Sequence, residues 1–330
     1  MTALLKLKGV KALAFASVIG LVGTVASAQD KSDWPDSFSV GTASQGGTYF
    51  VYGAGWANMV SEALGIPGGT EVTGGPVQNA ALVQTGDLDM GMVTMGPAFD
   101  AINGNSALAP GLKHDQLRAL FPMYKTGFHA MTLASSGITS FADIPDGAVV
   151  GVGPAGGTPG TYWPRILTDM GKDVEFRNGG ASDLAGQLQD GLIDVKTWAG
   201  GLPFPAFSQL DAQTDVTFFG FTEEEQAAVI ASQPVADFTI PANTYPSQPE
   251  EQLSVSMWNF AVGHADLPES MVYEIVKTVM TNNAKMVEIH KAAVETLPEN
   301  FDKNTFIPWH PGAVRWFEEN GFDIPDELEG

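Results

Sequence analysis

Val150-Gly151-Val152-Gly153-Pro154-Ala155-Gly156-Gly157-Thr158 is an apolar run that breaks into a glycine turn and then opens a helical pattern. It echoes Ser44-Gln45-Gly46-Gly47-Thr48-Tyr49, about a hundred residues earlier, which also follows an apolar run and precedes a helix. Strand, glycine turn, helix is a unit that binds anions. The glycines let the backbone come close to a ligand, and the first amides of the following helix have no intrahelical acceptor and carry the positive end of its dipole. Either phrase alone serves equally well as a tight turn. The pair implies two similar lobes, each pointing a helix N-terminus at a shared cleft.

The composition narrows what such a cleft can do. Lys6, Lys8 and Lys11, the apolar run from Ala12 to Val25 and the small residues Ala26-Ser27-Ala28 predict a signal peptide over residues 1–28. Cleavage is expected between Ala28 and Gln29, which makes the mature chain a periplasmic one. Removing those three lysines leaves 13 basic residues against 38 acidic ones, a formal net charge of -25. Nucleic acid and acidic membrane surfaces are therefore unfavourable partners, and an anion must be held by local dipoles, neutral donors or a few placed cations. With no cysteine, disulfides, thiolate metal sites and a cysteine nucleophile are excluded. The five histidines, His114, His129, His264, His290 and His310, show no metal-site spacing, and there is no G-x-S-x-G elbow. An enzyme is thus disfavoured, and no cofactor is expected.

Along the mature chain the patterns predict alternating strands and helices. Phe38 to Gly41 reads as a strand, Tyr49 to Leu64 as a helix, Glu71-Val72-Thr73 as a short strand running into Gly74-Gly75-Pro76, and Val77 to Gln84 as a helix. Met90 to Thr94 is a strand ending at Gly96-Pro97; Leu117 to Tyr124 and Phe128 to Ala134 are two further strands with Gly127 between them. Val149 to Gly153 feeds the second glycine turn. Thr161 to Met170 follows as a helix with Pro164 in its first turn. Leu184 to Gly191 reads as a helix, Val195 to Trp198 as a strand before the turn Gly200-Gly201, and Val216 to Phe221 as the last strand of the second block. Pro234 to Pro249 reads as irregular, Val255 to Val262 as a returning strand, and Pro268 to Thr296 and Ala313 to Glu319 as helical. The economical arrangement is an α/β protein of two lobes, each an open sheet flanked by helices. Residues 29–128 and 255–330 form one lobe and 129–254 the other, joined by a two-crossing hinge near Gly127 and Ser254. Ligands in open α/β sheets bind at strand C-termini, where the glycine turns lie.

The candidate donors each have a structural alternative. Ser44 and Thr48 contact a ligand or cap a helix, and Asn79 contacts a ligand or closes a turn. Three cations are candidate charge partners: Lys125 at the hinge, Arg165 on the helix after the second turn, and Lys196 before the third. Arg165 also reads as a surface residue, Lys125 as interlobe packing, and Trp198 either stacks on a ligand or is buried.

In order and spacing, the two glycine phrases, Thr73-Gly74-Gly75-Pro76-Val77-Gln78-Asn79 and Leu88-Asp89-Met90-Gly91-Met92-Val93 resemble the TAXI family of solute receptors, over essentially the whole mature chain. These are the binding-protein components of tripartite ATP-independent periplasmic (TRAP) transporters. The resemblance implies a type II periplasmic-binding-protein fold that closes over a small organic anion, a carboxylate, dicarboxylate or amino acid, and delivers it as a monomer to the TRAP permease membrane subunits. The same fold serving an ABC transporter or a sensor is the alternative. Carried across, the family's contacts fall on Ser44, Gly47, Thr48 and Tyr49, on Gly75 and Asn79, and on Gly156, Gly157 and Thr158. The neighbouring turns and strand ends add Gln45, Thr94, Tyr124, Pro154, Trp198 and Gly200. The second turn reads Gly-Gly-Thr-Pro where the family more often has Gly-Ser-Gly-Thr, and Lys196 and Trp198 stand where apolar or aromatic residues are usual.

Overall fold

A computed structural model describes Thr2 and residues 31–330. Apart from Thr2, the predicted signal peptide and its cleavage site lie outside the described residues. The strands are β1 (Phe38–Gly41), β2 (Gly68–Glu71), β3 (Met90–Thr94), β4 (Leu117–Leu133), β5 (Val149–Gly151), β6 (Glu175–Arg177), β7 (Val195–Gly200), β8 (Val216–Phe219), β9 (Ala236–Ile240) and β10 (Gln252–His264). They form one sheet in the order β2-β1-β3-β10-β4-β7-β5-β6, with β8 added to β4 and β9 to β10. Its two wings, β2-β1-β3 and β7-β5-β6, are parallel, as strand-helix-strand connections require. Between them run the long antiparallel strands β4 and β10, paired through Met257 with Thr126 and Trp258 with Lys125.

Three apolar cores pack on this sheet. The first takes its residues up to Tyr124 and again from Phe260 onward. Helix α1 (Thr48–Leu64) supplies Tyr52, Trp56 and Val60 at four-residue spacing, and the Trp56 ring meets Phe121 edge-on at 5.5 Å. It ends at Gly65, whose φ of 69° is the left-handed stop that glycine adopts without strain. The other two cores draw on residues between Phe128 and Met257 and cover opposite faces of the sheet. The chain therefore passes between cores along β4, from Tyr124 to Phe128, and back along β10, from Met257 to Phe260.

The remaining helices are α2 (Pro76–Thr85), α3 (Met95–Ile102), α4 (Thr158–Asp169), α5 (Ala181–Gln189), α6 (Pro205–Asp211), α7 (Glu223–Ser232), α8 (Glu269–Met280), α9 (Asn283–Ile289) and α10 (Pro311–Glu319). Several differ from the sequence pattern. Gly127 does not separate two strands: it sits inside β4 opposite Gly200, and its missing side chain leaves room for Phe238, whose Cε1 lies 2.7 Å from where a Cβ would stand. Gly96 and Pro97 do not end a strand but lie in the first turn of α3, where proline costs no hydrogen bond. Helix α4 starts at Thr158, so Pro159 takes the first-turn place expected of Pro164, which lies deeper in the helix. The short strand at Glu71 lies earlier, over Gly68–Glu71. Strand β9 occupies part of the stretch read as irregular, held by its ladder to β10. Helix α7 carries three glutamates and a capping box of Thr222 with Glu225, and its only buried side chain is Val229, so no apolar stripe announces it. The helical C-terminal stretch breaks after Met280 into α9 and a 3-10 turn, Lys291–Glu295.

Candidate functional site

The two glycine turns face each other across the middle of the molecule. Ala181 and Ser182 open α5, and their amides donate to Ser44 Oγ at 3.2 Å and the Gln45 carbonyl at 3.2 Å. The Ala206 amide at the start of α6 donates to the Gly46 carbonyl at 3.0 Å. In return Val77, in the first turn of α2, donates to the Gly156 carbonyl at 3.0 Å. Two hydroxyls complete the seam: Thr48 Oγ1 donates to the Gly201 carbonyl at 2.9 Å, and Thr158 Oγ1 to Thr94 Oγ1 at 2.8 Å. Each turn thus satisfies helix-start amides contributed by the opposite half of the sheet. This is a closed arrangement.

Behind the seam lies a cavity of about 40 Å³. Its walls are the loop before α1 (Ala43, Ser44, Gly47, Thr48, Tyr49), the start of α2 (Gly74, Gly75, Pro76), Thr94 and Thr126, the second turn (Pro154, Gly157, Thr158, Pro159) and the end of β7 (Trp198, Ala199, Gly200). No charged side chain lines it. Helices α1, α2 and α4 begin at this wall with glycine at the N-cap, no side-chain cap and no acidic residue in the first turn. Helix α7, remote from the cavity lining, carries an ordinary capping box and three acidic residues there. The positive helix ends at the cavity are thus left uncompensated by the chain's many carboxylates.

A hydroxyl network holds the floor. Asn259 on β10 is fully buried, and its Oδ1 accepts from Tyr49 Oη at 2.7 Å, Thr94 Oγ1 at 2.9 Å and Thr126 Oγ1 at 3.0 Å. Its Nδ2 donates to the Tyr124 carbonyl at 2.7 Å. Burial pushes the Tyr49 phenol far above its ordinary range, so it stays a neutral donor.

Of the residues singled out from sequence, Ser44, Gly47, Thr48, Tyr49, Gly75, Thr94, Pro154, Gly157, Thr158, Trp198 and Gly200 line the cavity. The others stand elsewhere, each for an identifiable reason. Gln45 is exposed and contributes only its carbonyl, and Gly156 likewise turns its carbonyl to Val77. Asn79 is a strand clamp: its Nδ2 donates to the carbonyls of Gly41, Thr42 and Met92, and its Oδ1 accepts from Thr73, so no donor is left for a ligand. Tyr124 points into the first core, edge-on to Tyr52 at 5.0 Å. The three candidate cations are all displaced. Lys125 pairs with Glu295 at 3.2 Å in a groove beside β4. Arg165 is exposed on α4, beside Tyr162. Lys196 is completely buried with its Nζ unpartnered, 4.3 to 4.9 Å from the ring centres of Trp198, Phe204 and Phe207. Burial holds that amine well below the usual lysine range.

Sequence reasoning missed Asn259, Thr126, Ala43, Gly74, Pro76, Pro159 and Ala199. Asn259 and Thr126 lie mid-strand, where only the antiparallel pairing of β4 with β10 reveals that they meet.

The sheet, with this cavity between its two wings, defines the class. The fold is that of the periplasmic binding proteins. The chain resembles periplasmic binding protein BugD at 12% identity over 87% of this chain and 97% of that one, with a TM-score of 0.58. It also resembles MatC from Rhodopseudomonas palustris, solved with bound malate, at 14% identity over 87% and 97%, with a TM-score of 0.53. A structure described as a periplasmic transporter follows at 12% identity over 88% and 98%, with a TM-score of 0.51. At such identities the likeness is one of fold. By sequence the chain belongs to the NMT1-like family, whose model matches residues 40–321.

Proposed function

We propose that this NMT1-like protein is an exported solute receptor. It captures a small carboxylate or amino-acid-like anion between lobes 29–128 with 255–330 and 129–254, and hands it unchanged to a membrane permease. The observation that carries this reading is the convergence of three helix N-termini that lack side-chain caps and acidic first turns on one cavity between the two glycine turns. Malate in the similarly folded MatC is consistent with a carboxylate ligand. Periplasmic location follows from the sequence of residues 1–28 and the fold. Among the described residues no helix is long and apolar enough to cross a membrane.

Closure rests on strands β4 and β10, the two passages between the cores. A ligand touching both turns selects the closed state, because only there do the helix ends that hold it come together. For the permease, the motif resemblance supports a TRAP partner. A binding protein on this fold serves an ABC transporter equally well, and the NMT1-like match names neither class. Co-purification with each class of membrane subunit distinguishes them.

A thermal-shift screen of the mature protein over monocarboxylates, dicarboxylates, amino acids and 2-oxo acids tests the receptor reading. A ligand at a hundred times its Kd stabilises by about 2.7 kcal/mol. Saturation should also reduce the radius of gyration in solution scattering. Turnover of the bound compound refutes the reading.

A further inference from the structure

Granting the receptor reading, the geometry points to one narrow ligand class: a monocarboxylate of one to three carbon atoms, excluding dicarboxylates and amino acids. Three features of the closed site carry this, and each acts on a different part of a ligand.

The first is volume. In this closed arrangement the cavity volume is about 40 Å³. A single water needs roughly 10–15 Å³ of such space, and a dry cavity of about 150 Å³ holds benzene. Room for only a few non-hydrogen atoms remains, which suits formate or acetate and reaches its limit near propionate or pyruvate. In the closed state the second turn is held against α2 and β3 by Val77 on Gly156 and Thr158 on Thr94. At Gly75 even a Cβ would stand 3.1 Å from Gly157 Cα.

The second is the number of negative charges. Helix ends stabilise one carboxylate, but Lys125, Arg165 and Lys196 all stand outside the lining, so a second carboxylate would be desolvated without a cation. The third concerns positive charge. No Asp or Glu lines the cavity, so the ammonium of an amino acid would also lose its water without a counter-charge. The lining also includes Trp198, Pro76, Pro154 and Pro159, whose apolar surface fits a methyl or ethyl group.

Calorimetry with formate, acetate, propionate, pyruvate, succinate, malate and glutamate on the mature protein tests this. At least one of the first four should bind with a Kd tenfold or more below that of every dicarboxylate and of glutamate. Trp198→Ala should move the optimum to butyrate or longer monocarboxylates while leaving succinate weak. Tighter binding of malate, succinate or glutamate by the wild-type protein overturns the size and charge limit while leaving the receptor reading intact. Binding of none of the seven overturns the carboxylate reading beneath it as well.

Discussion

Asn259 serves three hydroxyl donors from three elements with one side-chain oxygen. Losing that acceptor leaves Tyr49 only Thr94 Oγ1, at 3.2 Å, and strands buried hydroxyls of Thr94 and Thr126, and an unsatisfied buried polar group costs about 1–3 kcal/mol. Asn259→Ala should therefore destabilise the protein by about 2 kcal/mol or more, read from the urea midpoint at unchanged slope; a loss under about 0.5 kcal/mol would show the network to be dispensable. Lys196 makes the opposite case. Its amine is buried and unpartnered, and burial holds its proton affinity well below that of an ordinary lysine, so the unfolded chain binds a proton there more readily than the folded one. Stability is lost on that account as pH falls below the ordinary lysine value. Lys196→Met should raise Tm by several degrees at pH 7 and leave ligand affinity within about twofold, since the side chain lies outside the cavity. A tenfold loss of affinity in calorimetry would return Lys196 to the site.

At the scale of elements, helix starts and glycine turns are matched across the seam. Gly75 precedes α2 at φ 113°, a conformation that side chains rarely adopt, and it faces Gly157 Cα at contact distance. Gly75→Ala adds strain on the order of 1–3 kcal/mol together with a clash that exists only when the turns meet. The variant should bind ligand at least tenfold more weakly, with a slower or absent compaction in scattering, while its circular dichroism stays native. Equal affinity would mean that the turns need not touch for capture. The elements also explain which parts of the fold the sequence shows. Helix α1 declares itself through Tyr52, Trp56 and Val60, because one buried stripe repeats along it. Helix α7 does not, because it is held by a capping box, by Gln226 on the carbonyls of Phe238 and Ser254 and by a single buried Val229, which leave no periodic apolar signal.

Three buried histidines set an acid limit for the whole molecule. Burial lowers His129 from 6.5 to about 3 and His290 and His310 to about 4; nearby Lys196 adds to the effect at His129. Below pH 6.5 the unfolded chain takes up these protons first, so stability falls as pH drops from about 6.5 toward 4. Each group contributes up to about 1.4 kcal/mol per pH unit within that window. The Tm should be flat in this respect above pH 7 and clearly lower at pH 5, and His129→Phe should lessen the drop. An unchanged drop in that variant would assign it to the acidic residues instead.

The alternation of strands and helices, the paired glycine turns and the surplus of carboxylates over cations are properties of local sequence. They determined the two-winged α/β architecture and named Ser44, Thr48, Tyr49, Gly75, Gly157 and Thr158 as neighbours of one cleft, because backbone freedom at glycine and free amides at a helix start act within a few residues. What the side chains of Asn79, Lys125 and Lys196 do was left to the tertiary structure. Each sits at a strand or helix end from which it could face a ligand, and only packing reveals that Asn79 clamps three strand carbonyls, Lys125 pairs with Glu295 and Lys196 turns into an aromatic core. The same holds for Asn259 and Thr126, more than a hundred residues apart in sequence and joined by the β4 and β10 ladder. Cavity size and the absence of charge in its lining are likewise decided by which surfaces meet when the chain folds back, a long-range outcome that local pattern does not encode.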